Sequence, residues 1–168
     1  MQFEIYSGNA GNIRDRIERG LLDVGLMSEP IDIRKYAFIT MPVKEQWGAL
    51  VREDSPLAGK EFLRPQDLLD IPLISAVGEF LESNVAKWLE EYAAKVHIIA
   101  KGNLLYNEAM LAQSNIGAVI CIRLSCRYDG LQFIPFSPAL TNDTALAWKK
   151  EQIFSAATKA FWILQRNT

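Results

Sequence analysis

The run Ile116-Gly117-Ala118-Val119-Ile120-Cys121-Ile122 constrains the fold more than any other segment of this chain. It carries no charge and is far shorter than the ~18 apolar residues a membrane span needs. Without polar alternation it reads as a central strand buried on both faces, and such a strand needs helices packed above and below it. The sequence supplies them. Leu81, Val85, Trp88, Leu89 and Tyr92 step by 4, 3, 1 and 3, the apolar stripe of an amphipathic helix. Ala10, Ile13, Ile17 and Leu21 recur at +3, +4 and +4, which predicts a helix over 11–19 with Gly20 as its stop.

The remaining segments alternate in the same way. Residues 3–7 alternate apolar and polar and read as a strand, and 22–27 as another. Strand, helix and strand in that span predict a parallel βαβ unit. Strands are expected over 36–41, 46–52, 72–75, 96–100, 116–122, 131–136 and 144–148. A short helix with Pro65 in its first turn covers 65–69, a third long helix runs from Asn103 to about Gln113, and a closing helix covers 151–166. The sum is an α/β fold with at least one mostly parallel sheet, either a single doubly wound domain or two lobes.

Composition narrows the function. The chain has 168 residues, 49% hydrophobic and 23% charged, which is globular. Eighteen Lys and Arg against twenty Asp and Glu leave a formal charge of −2. That excludes broad attraction to nucleic acid as this segment's main activity. No apolar run is long enough to cross a membrane, and Met1-Gln2-Phe3-Glu4-Ile5 is not a secretory signal, so a cytoplasmic location is expected. Cys121 and Cys126 with a single His97 make no metal site by spacing; Cys121 reads as a small buried hydrophobe and His97 as structural. There is no G-x-S-x-G, phosphate loop or dinucleotide glycine spacing, so no catalytic residue, cofactor or metal is assigned. The four tryptophans read as packing groups, with Trp47 the one nearest a candidate site.

Five segments carry a family resemblance. Gly20-Leu21-Leu22-Asp23-Val24-Gly25-Leu26 resembles a "G-x-L-D" strand start. Pro42-Val43 followed by Ala49-Leu50-Val51-Arg52-Glu53-Asp54-Ser55-Pro56-Leu57-Ala58 resembles a strand leading to "HPLA", with Ser55 in place of His. Leu68 through Pro72-Leu73-Ile74, Gln113-Ser114-Asn115-Ile116-Gly117-Ala118-Val119 and Leu146-Ala147-Trp148-Lys149-Lys150 follow in order. Order and spacing together resemble the effector-binding domain of LysR-type transcriptional regulators over nearly the whole chain.

The resemblance implies a periplasmic-binding-protein type II-like fold, two Rossmann-like α/β lobes joined by two crossing strands, near 42–45 and 122–127. Lobe I would hold residues 1–42 and 127–168, and lobe II residues 43–126. The family's winged helix-turn-helix and linker helix are not in these residues, and lobe I is expected to lack its first strand and helix. Partners implied are a small-molecule effector, further copies in a homo-oligomer, and DNA only through a DNA-binding domain outside this chain.

Ligands of such lobes sit at strand carboxyl ends, where helix N-termini favour an anion. Three loops fit. In Ser7-Gly8-Asn9-Ala10, Asn9 either caps helix 11–19 or meets the ligand, and the roles can coexist; Ala10 stands where the family often has a hydroxyl. Ser75-Ala76-Val77-Gly78 is either an ordinary turn or a close backbone approach through Ser75 and Val77. In Gly102-Asn103-Leu104-Leu105, Asn103 caps the helix or faces the ligand beside Leu104. Pro42 and Ile122 would line the cleft floor, with Pro42 as a plain turn former the alternative.

The expected function is sensing of a small anionic metabolite in an interlobe cleft. A stand-alone solute-binding protein, a truncated partner of an intact regulator and a cleft enzyme are the rivals. The enzyme is disfavoured because the three loops hold no Asp, Glu, His or Lys.

Overall fold

The computed structural model describes residues 4–28, 32, 34–76, 84–154 and 157–160. The chain divides into two compact units, Met1–Lys44 with Asp143–Thr168, and Glu45–Asn142. The first boundary falls between Lys44 and Glu45.

In the first unit, α1 (Ala10–Glu18) is followed by β1 (Gly25–Ser28) and β2 (Tyr36–Thr40). These join β9 (Thr144–Lys149) in a sheet of order β1-β9-β2, antiparallel at both pairings. Ile13 and Ile17 of α1 pack on Met27, Tyr36 and Ala147. Gly25 lies under α1, where an added Cβ would come within 3.0 Å of Ile17 and strike Ile13, so the close helix–sheet approach requires glycine. Tyr36 Oη donates to Glu18 Oε1 at 2.7 Å, and Lys149 pairs with the same carboxylate.

The second unit carries β3 (Glu45–Arg52), a 3-10 turn at Pro65–Leu68, β4 (Pro72–Ala76), α2 (Asn84–Leu89) with a 3-10 turn at Glu90–Tyr92, and β5 (His97–Gly102). Then come α3 (Leu105–Gln113), β6 (Ala118–Ile122), β7 (Leu131–Pro135) and β8 (Thr141–Asn142). The sheet order is β5-β4-β6-β3-β7, with β8 beside β3. β4 runs parallel to both β5 and β6, whereas β3 is antiparallel to β6 and β7. One face packs Val85, Trp88 and Leu89 of α2 on Leu73 and Ile120. The other packs Ala109 and Ala112 of α3 on Ile74 and Val119. β6 is thereby covered on both sides, as its uncharged sequence requires.

Four expectations change. Residues 4–7 join no sheet, and Ile5 is 89% exposed; β1 takes its partner from β9, antiparallel, so the βαβ unit at the start does not form. Residues 127–142, placed in lobe I by the sequence, lie in the second unit. β7 extends that unit's sheet at β3, and Ile134 and Phe136 enter its core, with Phe136 stacked on Trp88 at 4.2 Å. The second passage between units is therefore at Asn142–Asp143 rather than 122–127. Of the closing helix, residues 157–160 are helical, while 151–154 are not and Ile153 is 93% exposed. Leu81 at the start of the second expected helix, and Phe161 and Leu164 in the last, lie outside the described residues.

Candidate functional site

Three parallel strands of the second unit end side by side. Ala76 closes β4 and is in register with Gly102, the last residue of β5. Ile122 closes β6 on the other side of β4. The side chains at this edge come from different elements. Ser75 is buried at 4% exposure on β4, and Ile122 is half-buried opposite Trp47. Lys101, next to last in β5, and Arg123, just past β6, place two exposed cations there. Arg123 is held by its backbone N–H on the Gln46 carbonyl at 2.7 Å, and its guanidinium faces the Phe133 ring.

α3 begins at the same edge. Its N-cap is Leu104, with no side-chain hydrogen bond to the first turn. Backbone N–H groups at a helix start carry partial positive charge and favour an anion. One turn in, Glu108 is 5% exposed and lies against Gly102, where an added Cβ would sit 2.5 Å from Glu108 Oε1. Burial raises the pKa of its carboxyl above the ordinary glutamate value. Burial, then the nearby Glu108, pushes the Cys121 thiol up to about 12, which makes it a protonated packing group. Tyr128 is raised by burial and by its hydrogen bond with Cys126. Cys121 and Cys126 are both free thiols. Among the described residues no three His, Cys, Asp or Glu side chains converge as metal ligands.

A cavity of about 310 Å³ opens at the opposite edge, beside Pro72 and Ala118 at the amino ends of β4 and β6. On its wall Arg52 pairs with Asp54 and donates to the Gln113 carbonyl at 2.9 Å. Parallel α/β sheets bind ligands outside their carboxyl ends, which makes the β4–β5–β6 carboxyl edge the candidate site.

A family model described as the LysR substrate binding domain matches residues 1–167. The chain belongs to that family. No curated protein sequence matches it. Among solved structures, the effector-binding domain of QuiR in complex with shikimate superposes with a TM-score of 0.80 at 20% identity, covering 95% of this chain and 77% of that one. The regulatory domain of Synechocystis PCC6803 CcmR in complex with 2-PG gives 0.70 at 20% identity, covering 93% and 77%. HinK, a LysR family transcriptional regulator from Pseudomonas aeruginosa, gives 0.73 at 16% identity; the chain is 94% covered but spans only 57% of HinK. The mixed α/β fold with two sheets is that of LysR substrate-binding domains, which are periplasmic-binding-protein type II-like. No helix among the described residues is long and apolar enough to cross a membrane.

Within this LysR substrate-binding domain the expected site residues fall into two groups. Ser7, Gly8, Asn9, Ala10 and Pro42 are in the first unit; Ser75, Asn103, Leu104 and Ile122 are at the carboxyl edge of the second. Val77 lies outside the described residues. Asn9 caps α1, with Oδ1 accepting from the Asn12 N–H at 2.9 Å. Asn103 does not cap α3: the N-cap falls one residue later, on Leu104, and Asn103 is exposed beside it. Sequence reasoning missed Glu108, although its spacing of +3 from Leu105 and −4 from Ala112 puts it on the apolar stripe. It also missed Lys101 and Arg123, whose place at the edge depends on where the strands end.

Proposed function

We propose that this chain is the ligand-sensing part of a LysR-type transcriptional regulator and that it binds a small anionic metabolite at the carboxyl ends of β4, β5 and β6. The observation that carries the reading is the shared ending of three parallel strands beside the uncapped start of α3, with Lys101 and Arg123 at the same edge. Backbone N–H groups and two cations suit a carboxylate or phosphate. The ligands named for the QuiR and CcmR domains, shikimate and 2-PG, are small molecules of the size such an edge takes.

Ligand binding shifts the population toward the arrangement that binds it better. The output is DNA binding by a domain outside this chain, in a homo-oligomer. The chemistry is binding, without turnover.

Thermal unfolding against a panel of small carboxylates, shikimate among them, tests the reading. A ligand present at 100 times its Kd that binds only the folded chain adds about 2.7 kcal/mol, a shift of several degrees. A selective shift with one anion class is the expected result. A cooperatively folding chain that no member shifts contradicts it.

A further inference from the structure

Trp47, Asn84 and Asn142 meet in the second unit; the sheet register places Trp47 and Asn142 at the carboxyl edge, and Asn84 reaches it through its side-chain contact with Asn142. Trp47 pairs with Ile122, and Asn142 pairs with Glu45, two residues beyond Trp47. Asn84 is the first residue of α2, which follows β4.

An indole N–H only donates, so it needs an oxygen. With Asn142 Oδ1 facing Trp47 Nε1 at 3.2 Å, Asn142 Nδ2 lies 3.1 Å from the Thr141 carbonyl and 3.0 Å from Asn84 Nδ2, so the Asn84 amide must turn its oxygen to that position for the contact to be a hydrogen bond. Both hydrogens of that nitrogen are then used. The reverse orientation has Asn84 Nδ2 donating to Asn142 Oδ1 at 3.0 Å. It would set the Asn142 nitrogen against the indole N–H and the Asn142 oxygen against the Thr141 carbonyl, two repulsive contacts. The relay therefore runs one way, from the indole through Asn142 to Asn84. Trp47 cannot easily swing away, because its half-buried ring packs on the Ala49–Phe136 core. Asn84 must receive with its oxygen, which leaves its two N–H groups for a partner outside the relay. Asn84 is exposed.

We infer that Asn84 is a specificity-determining residue whose amide N–H groups donate to an anionic oxygen of the ligand, with Trp47 and Asn142 as positioning residues that fix the direction of that amide. The inference rests on the proposed carboxyl-edge site and names a residue and a polarity for it. Ligands that present only donors at this point are rejected, because the relay prevents Asn84 from turning its oxygen outward.

Two measurements test it. The first needs no ligand: Asn84→Asp offers only oxygens, so Asn142 still donates to it and the melting temperature stays near wild type. A fall of several degrees would show that Asn84 is the donor and overturn the inference. The second is calorimetric titration of the full chain with shikimate, citrate and inorganic phosphate as probes. Loss of a hydrogen bond to an anion in Asn84→Ala should weaken the best probe roughly tenfold or more. Trp47→Phe, which frees the amide direction without touching the ligand, should give a smaller loss. Equal affinity in wild type and Asn84→Ala overturns the inference and leaves the carboxyl-edge reading standing. Absence of binding by wild type to every probe overturns both.

Discussion

Glu108 stands in the first turn of α3 with its carboxyl buried against Gly102. Burial raises its folded-state pKa, so the fold prefers the protonated acid. That contribution is fully present below the unfolded glutamate pKa and is lost as pH rises through the folded value. Glu108→Gln keeps the shape without the charge. It should therefore melt higher than wild type at pH 8, with the gap closing towards pH 4; a constant gap would show that Glu108 does not titrate differently on folding. Gly102→Ala forces a methyl onto the same side chain and should cost about 1–3 kcal/mol. Most of that cost should vanish in a Glu108→Ala background, and denaturant melts of the double-mutant cycle measure it. The thiols differ in the same local way. Cys121 is buried and held protonated, and Cys126 is exposed. One thiol should react with an alkylating reagent in the native chain at pH 8 and two in denaturant. Glu108 was legible in its spacing. Its burial became clear only once the chain brought Gly102 beneath it, because a glutamate on an apolar stripe otherwise reads as a boundary residue.

At the scale of elements, local pattern succeeds where the element is closed within itself or buried on both faces. α1 has its stripe at Ile13 and Ile17 and its cap at Asn9, both visible before folding. Asn9→Ala removes the bond to the Asn12 N–H and should lower stability by about 1 kcal/mol, read as a lower denaturant midpoint with an unchanged m-value. β6 was legible from its uncharged run. Pairing was not. β1 joins β9, which lies more than a hundred residues later, and does so antiparallel. Nothing in residues 3–27 encodes that choice, so the expected βαβ unit followed from adjacency alone. β8 is two residues long and exists by its pairing with Glu45 and Gln46, too short for any periodicity to announce. The N-cap of α3 is Leu104 and not Asn103, because a good capping residue type does not guarantee the capping geometry.

The whole molecule divides after Lys44 and after Asn142, and the second of these places lies well past the 122–127 crossing the sequence suggested. Residues 131–136 read correctly as a strand, but their owner is decided by packing: β7 aligns with β3, and Trp88 stacks on Phe136 and donates to the Pro138 carbonyl at 2.8 Å. These contacts hold 127–142 in the second unit. The proposed site draws on the sequence to a similar extent. The sequence named the loops after β4 and β5 and the end of β6 as candidates because parallel strands fix which end carries ligands. The Trp47–Asn142–Asn84 relay was not named, because its members are far apart in sequence and meet only in the folded chain. The central claim is that the carboxyl edge of β4, β5 and β6 binds the ligand. Backbone amide shifts of the ¹⁵N-labelled chain, followed while the carboxylate with the largest thermal shift is added, test it most directly. The account predicts saturable changes at Ser75, Gly102, Leu104 and Ile122; changes confined to Arg52, Asp54 and Asn115, around the cavity at the opposite edge, would contradict it.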